Sequence, residues 1–266
     1  MKKLLFIAAA AVGMVAVADV ESANTVGYTQ VTIRPGLNLI GTSFLKVDTN
    51  GRPDIQATFS DCMGKAKTGA TGADVADFIQ IFDSAAKDYT QQFWFYADPE
   101  NPDPDWDYKW LDLDWGIGDY VIPSANAFWY KSRGDVNFAL TSSGAVAGED
   151  IQVTIKPGLN LIVNPFPCAL ALNSTEVNWK EAGATTGATG ADVADFIQIF
   201  DSAAKDYTQQ FWFYADPENP DPDWDYKWLD LDWGICDFSI PANGGFWYKS
   251  RGDKDITLTF KCPLKK

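Results

Sequence analysis

The stretch DFIQIFDSAAKDYTQQFWFYA fills residues 77–97 and returns unchanged at residues 195–215. It reads as a β-hairpin. DFIQIFD and YTQQFWFYA are rich in aromatic and β-branched residues, and the polar SAAKD between them is of hairpin-loop length. Side chains alternate along a strand, so Phe93 and Phe95 point one way and Trp94 and Tyr96 the other. A two-layer sandwich buries only one face of each strand. Something must therefore cover the second pair: a loop, a neighbouring module, a partner chain or a ligand. Exposed apolar patches above a few hundred Å² mark interaction sites.

The identity extends beyond the hairpin. Residues 68–117 equal residues 186–235 at an offset of 118. Downstream, IPSANAFWYKSRGD (122–135) corresponds to IPANGGFWYKSRGD (240–253). Upstream, QVTIRPGLNLI (30–40) corresponds to QVTIKPGLNLI (152–162), now at an offset of 122. Other strands are predicted at QVTI, LNLIG, DYKWL, AFWYKS and VNFALT, the last two flanking a hairpin tip at Arg133-Gly134-Asp135. A short helix is predicted in TEVNWKEA, capped by Asn173 or Ser174 and ended by Gly183. The fold class is all-β: two tandem antiparallel β-sandwich modules related by internal duplication, residues 19–148 and 149–266, with modest contact expected between them.

Residues 1–18 have the form of a signal peptide. Met1-Lys2-Lys3 precedes an apolar run over residues 4–17, and Ala16-Val17-Ala18 forms the cleavage site. The run is too short for a good membrane anchor. Export through the inner membrane is expected, to the periplasm, the cell surface or beyond, without membrane insertion of the mature chain.

Composition narrows the function classes. The formal charge is −15, and −17 once Lys2 and Lys3 are removed. So acidic a surface disfavours nucleic acid and anionic membranes. The chain has no histidine, which removes Ser-His-Asp and Cys-His catalysis and histidine metal sites. Cys62, Cys168, Cys236 and Cys262 show no C-x-x-C spacing, and none recurs at the matching position of the other copy. The fold should stand without a crosslink, although the exported chain could form one among Cys168, Cys236 and Cys262.

PGLNLIVNPFP (157–167), ADFIQIFD, IPANGGFWYKS and ITLTF together resemble a module of many exported Gram-negative bacterial proteins. That module reads approximately G-W-N-L-I-G-N-P-Y-P, then a strand of the I-Y-V-W-D type, then I-P-P-G-Q-G-F-F-V and a closing strand. Copy 1 departs from it with GTSFLK in place of N-P-Y-P, and Leu37 and Leu159 replace the usual aromatic. The resemblance implies a secreted β module, an accessory to surface or matrix proteins, and no catalytic residues.

The candidate sites lie in YADPENPDPDWDYKWLDLDWGI (96–117 and 214–235), where seven acids are interleaved with three tryptophans. Asp103, Asp105 and Asp107, with Asp221, Asp223 and Asp225, alternate loosely as calcium ligands do. Pro104 and Tyr108 break that pattern, and a solvated acidic loop fits the same residues. No cofactor is expected beyond calcium. The aromatics also read in two ways. Trp106, Tyr108 and Trp110 share one face if the segment is a strand. That face, with Trp94 and Tyr96, is either core or an exposed platform for sugar rings, as are Trp212, Tyr214, Trp224, Tyr226 and Trp228. The reading preferred on sequence is a non-enzymatic protein making surface, matrix or assembly contacts with a protein or glycan surface. Carbohydrate or calcium binding is the alternative, and a carboxylate-dependent glycosidase the third. TGATGAD (68–74) lacks the ending of a phosphate loop and reads as a flexible lead-in; the repeated RGD reads as a turn.

Overall fold

The structure, a computed structural model, describes residues 26–44 and 54–265. The expected signal peptide lies outside them. The first half contains β1 (Val26–Ile33), β2 (Gly36–Ile40), α1 (Ile55–Thr58), β3 (Phe78–Asp83), β4 (Asp88–Tyr96), β5 (Lys109–Asp112), β6 (Phe128–Ser132) and β7 (Phe138–Ala145). The second contains β8 (Ile151–Ile155), β9 (Gly158–Val163), β10 (Leu170–Ala171), α2 (Trp179–Ala182), β11 (Phe196–Asp201), β12 (Asp206–Tyr214), β13 (Lys227–Asp230), β14 (Ser239–Ile240), β15 (Gly245–Ser250) and β16 (Ile256–Phe260). Among the described residues the fold is all-β and antiparallel, with 16 strands, two α-helices of four residues each and one turn of 3-10 helix at Ser60–Cys62. No helix among the described residues is long and apolar enough to cross a membrane.

Each half has a five-stranded sheet, β2-β6-β3-β4-β5 in the first and β9-β15-β11-β12-β13 in the second. The predicted hairpin forms, with Phe78 opposite Trp94 and Asp83 opposite Asp88. The corner between β1 and β2 is built by Pro35, Gly36 and Asn38. Gly36 has φ +97°, a conformation that costs glycine little. Buried Asn38 donates Nδ2 to the Arg34 carbonyl (2.8 Å) and accepts from the Arg34 N–H at Oδ1 (2.9 Å). Gly158 and Asn160 repeat the device.

The hairpin expected at Arg133-Gly134-Asp135 does not form. β6 lies inside the five-stranded sheet with β2 and β3 on either side, so neither of its edges is free for β7. β7 crosses instead to a two-stranded sheet with β1, as β16 does with β8. The core of the first half lies between these layers. Ile33 and Leu140 come from the small sheet, Ile79, Phe93, Phe95, Trp110 and Phe128 from the large one, and Phe59 from beside α1.

The helix in the second half starts later than expected. Asn178, not Asn173 or Ser174, is its N-cap, while Gly183 closes it as expected with φ +87°. Asn173 is used elsewhere. Its side chain accepts from the Trp228 N–H (2.7 Å) and donates to the carbonyls of Trp228 (3.1 Å) and Cys236 (2.8 Å). In the first half Gln56 makes the same three bonds, to Trp110 and Gly118. Two unlike side chains from the divergent segments thus clamp identical edge strands. The TGATGAD segment is also more ordered than a lead-in: Gly69 bridges in parallel to Tyr96, and the Gly69 N–H donates to the Phe95 carbonyl (3.1 Å).

Contact between the halves exceeds the modest contact expected. Leu39, Phe82, Ala127 and Trp129 of the first half bury themselves with Leu161, Val163 and Trp247 of the second. The contacts are reciprocal. Phe82 meets Trp247 and Trp129 meets Phe200, each pair of ring centroids 4.9 Å apart and close to perpendicular. Ile40 bridges to Gly244, and Asn126 to Ile162. Such reciprocity is the mark of a two-fold relation.

All four cysteines are free. Burial pushes the Cys62 thiol up to about 12 and the Cys236 thiol up to about 11, which makes both poor nucleophiles.

Candidate functional site

Between β4 and β5 the chain makes a proline-punctuated excursion that its own carboxylates brace. Asp107 accepts from the Asp98 N–H at Oδ1 (3.0 Å) and from the Asp103 N–H at Oδ2 (3.2 Å). Asp103 accepts from the Asp105 N–H (2.9 Å). In the next turn Asp112 accepts from the Asp114 (2.9 Å) and Gly116 (2.7 Å) N–H groups. Asp225, Asp221 and Asp230 repeat all five bonds. The carboxylates read as calcium ligands are therefore engaged as turn braces, while Asp105 and Asp223 are exposed. Among the described residues no group of three or more Asp, Glu, Cys or His is arranged to hold a metal ion. Residues 98–114 contain seven acids and one lysine, a net −6, and residues 216–232 are identical. These two segments carry −12 of the chain's −15.

The structure divides the candidate rings. Trp110 and Trp228 lie in the cores between the layers. Trp94 and Trp212 are buried on the opposite sheet face, each with an alanine and a leucine: Ala76 and Leu111, Ala194 and Leu229. The cover over Trp94 comes from its own half. Trp115 lies edge-on to it at 4.9 Å, and Trp94 Nε1 donates to the Asp112 carbonyl (3.0 Å). Trp106, Tyr108 and Trp110 do not share a strand face, because the strand begins only at Lys109. A turn closed by the Asp107 N–H on the Asp103 carbonyl (2.7 Å) precedes it.

What remains outside is three rings in each half; in the first, Trp115 packs against Trp94 and Tyr96, whereas Tyr108 packs against Phe95 of the core face. Trp106 is 37% exposed, Tyr108 48% and Trp115 46%; Trp224, Tyr226 and Trp233 are 36%, 43% and 45% exposed. Half-buried Tyr214 lies 6.4 Å from both Trp224 and Trp233, and half-buried Tyr96 lies 6.3 Å from Trp115. Burial and the nearby Asp98, Asp107 and Asp103 carboxylates raise the Tyr96 phenol above its usual range. Tyr108, Trp115, Tyr226 and Trp233 all have φ between 60° and 68°. For bulky side chains such backbone costs on the order of 1–3 kcal/mol, and such strain clusters at functional sites.

In the second half a cleft of about 990 Å³ opens between the proline loop and α2, lined by Asn173, Trp179, Lys180, Pro222, Asp225 and Tyr226. Lys180 Nζ sits 3.6 Å above the centre of the Tyr226 ring. The corresponding place in the first half, lined by Gln56, Phe59, Met63 and Tyr108, encloses about 170 Å³. The repeated loop is identical; the divergent segment sets the size.

Sequence reasoning missed two buried acids, Asp77 and Asp195. Asp77 accepts from the Tyr130 hydroxyl (2.7 Å) and the Arg133 N–H (2.6 Å). Asp195 accepts from the Tyr248 hydroxyl, the Arg251 N–H (2.6 Å) and the Thr185 N–H (3.0 Å). Burial raises both carboxyls, against the pull of these bonds. The signal was an acid heading an apolar strand, twice. The same acids hold the arginine of each RGD by its backbone, and the Arg133 guanidinium donates to the Ala73 carbonyl (3.2 Å). The tripeptide's arginine is thus tied to its own half.

No family model, no curated protein and no solved structure matches this chain.

Proposed function

We propose that the protein is exported and non-enzymatic, and that its two related β-sandwich modules make surface, matrix or assembly contacts through their exposed aromatic rings. The observation that supports this is the set of exposed rings, present in both halves. Trp106, Tyr108 and Trp115 stand in solvent on a loop braced by carboxylates, two of them at a backbone conformation costly for their size. Two equal sites on one chain favour an extended or multivalent surface, because the second contact forms at high effective concentration. Trp106 and Trp224 belong to none of the buried core clusters, so they can be removed with the fold intact. The purified protein is expected to co-sediment with envelope and exopolymer from the producing cells. The Trp106→Ala/Trp224→Ala variant, with native circular dichroism, is expected to lose most of that co-sedimentation. Equal sedimentation of variant and wild type would remove these exposed rings from the reading.

The cleft beside Tyr226 favours a second reading, carbohydrate binding, since its rings, amides and charges suit a hydroxylated ligand. A glycan array probed with and without calcium separates the two. Signals lost in Tyr226→Ala support the cleft, and silence in both conditions removes it.

A further inference from the structure

We propose that the face shared by the two halves is keyed: it seats a first half against a second half and rejects either half against its own kind. The partner this surface fits is then a second copy of the chain, reached only by exchanging unlike halves.

Most of the face cannot discriminate. Leu39 and Leu161, Phe82 and Phe200, Trp129 and Trp247 are identical pairs at equivalent positions. Discrimination lies where equivalent positions meet each other, as they must near a two-fold axis. Residue 41 meets residue 163, and residue 127 meets residue 245. At both places the halves differ in size. A Cβ on Gly41 would lie 2.6 Å from Val163 Cβ and Cγ2, and Val163 supplies all three of its nearest neighbours. Gly41 does not have a left-handed φ, so space for Val163 is what calls for glycine there. A Cβ on Gly245 would lie 2.8 Å from Ala127 Cβ.

Like pairings therefore fail. Two second halves would drive Val163 into Val163. Two first halves would press Ala127 Cβ onto Ala127 Cβ and leave a void between two glycines at position 41. A polar contact adds to the rejection. Asn243 accepts from the Ser43 N–H (2.9 Å) and donates to Thr29 Oγ1. The counterpart of Ser43 in the second half is Pro165, which has no N–H, and that of Thr29 is Ile151. The counterpart of Asn243 in the first half is Ala125, which has no amide to offer. Specificity here comes from clashes and lost partners in the wrong pairing, added to a common apolar surface.

The full chain tests this by reversing the key. Gly41→Val is expected to lower the apparent melting temperature by about 5–8 °C through overpacking. Val163→Gly should lower it by a similar amount through the void it opens. The double variant Gly41→Val/Val163→Gly moves the bulk across the axis and should recover most of the Gly41→Val loss. In a second arm, the two single variants are unfolded together in denaturant and refolded as a mixture. Exchange of unlike halves then gives a heterodimer, at twice the chain mass by light scattering, that neither variant forms alone. A double variant as unstable as the summed single losses, or a mixture holding only self-paired species, would each overturn the proposal. The mixture arm reads the key even where Gly41→Val fails to fold by itself.

Discussion

Asp195→Ala lowers the apparent melting temperature by roughly 10 °C, on the expectation that each orphaned buried donor costs about 1–3 kcal/mol. Asp195 is buried and accepts three bonds, from the Tyr248 hydroxyl and the Arg251 and Thr185 N–H groups. Burial also holds the Tyr248 phenol well above its usual range, so it remains a donor. The carboxylate ties β15, through Tyr248 and the residue after its end, to the start of β11. Asp77→Ala removes the equivalent acceptor in the first half, from the Tyr130 hydroxyl and the Arg133 N–H, and should cost a comparable amount. The same carboxyls set a pH dependence. Both are raised above the ordinary 3.8 by burial. The folded chain thus holds these protons to a higher pH than the unfolded chain. Their contribution to stability should be fully present below 3.8 and lost as pH climbs through the raised values. Thermal melts across that range should show a shallower slope for Asp77→Asn/Asp195→Asn than for wild type.

Trp228→Ala is the second large effect, with an expected loss of about 10–15 °C for removing a fully buried indole. Its ring lies 5.0 Å from Phe213, 5.1 Å from Trp179 and 6.1 Å from Tyr248, so one side chain joins sheet, helix and β15. Trp228→Phe separates packing from polarity. Among the described residues the buried Nε1 of Trp228 finds no hydrogen-bond partner, and neither does that of Trp110. Phenylalanine gives up volume but also removes a desolvated N–H, and an unpaired buried donor costs about 1–3 kcal/mol. Trp228→Phe should therefore recover more than half of the alanine loss. Equal melting temperatures for the two variants would contradict the packing role assigned to the ring.

Local pattern in the sequence was a good guide where neighbours in the chain decide the structure. The hairpin of β3 and β4 follows from alternation and a polar loop, and Gly183 ends α2 because it can adopt a left-handed φ. The sequence was a poor guide where distant residues decide. Whether β6 pairs with β7 depends on β2 and β3 claiming both edges of β6 first, which no window of sequence contains. The cover over Trp94 depends on Trp115 entering a backbone region that its size disfavours. The equivalence of Gln56 and Asn173 was invisible because the side chains differ and only their targets agree. The question raised by Trp94 and Tyr96 has a divided answer. Their own loop covers them, the twin half covers Trp129 and Trp247, and the rings of the covering loops are left to solvent.

That division is the central claim, and it can be measured directly. The chain has eleven tryptophans. Fluorine NMR on 5-fluorotryptophan-labelled protein, with a soluble gadolinium chelate, reads the exposure of each. Trp106, Trp115, Trp224 and Trp233 should broaden, and the other seven, all buried, should stay sharp. Added envelope or exopolymer should then perturb the Trp106 and Trp224 signals first. Broadening of Trp94, Trp110, Trp212 or Trp228, or protection of the four surface rings in the free protein, would contradict the account.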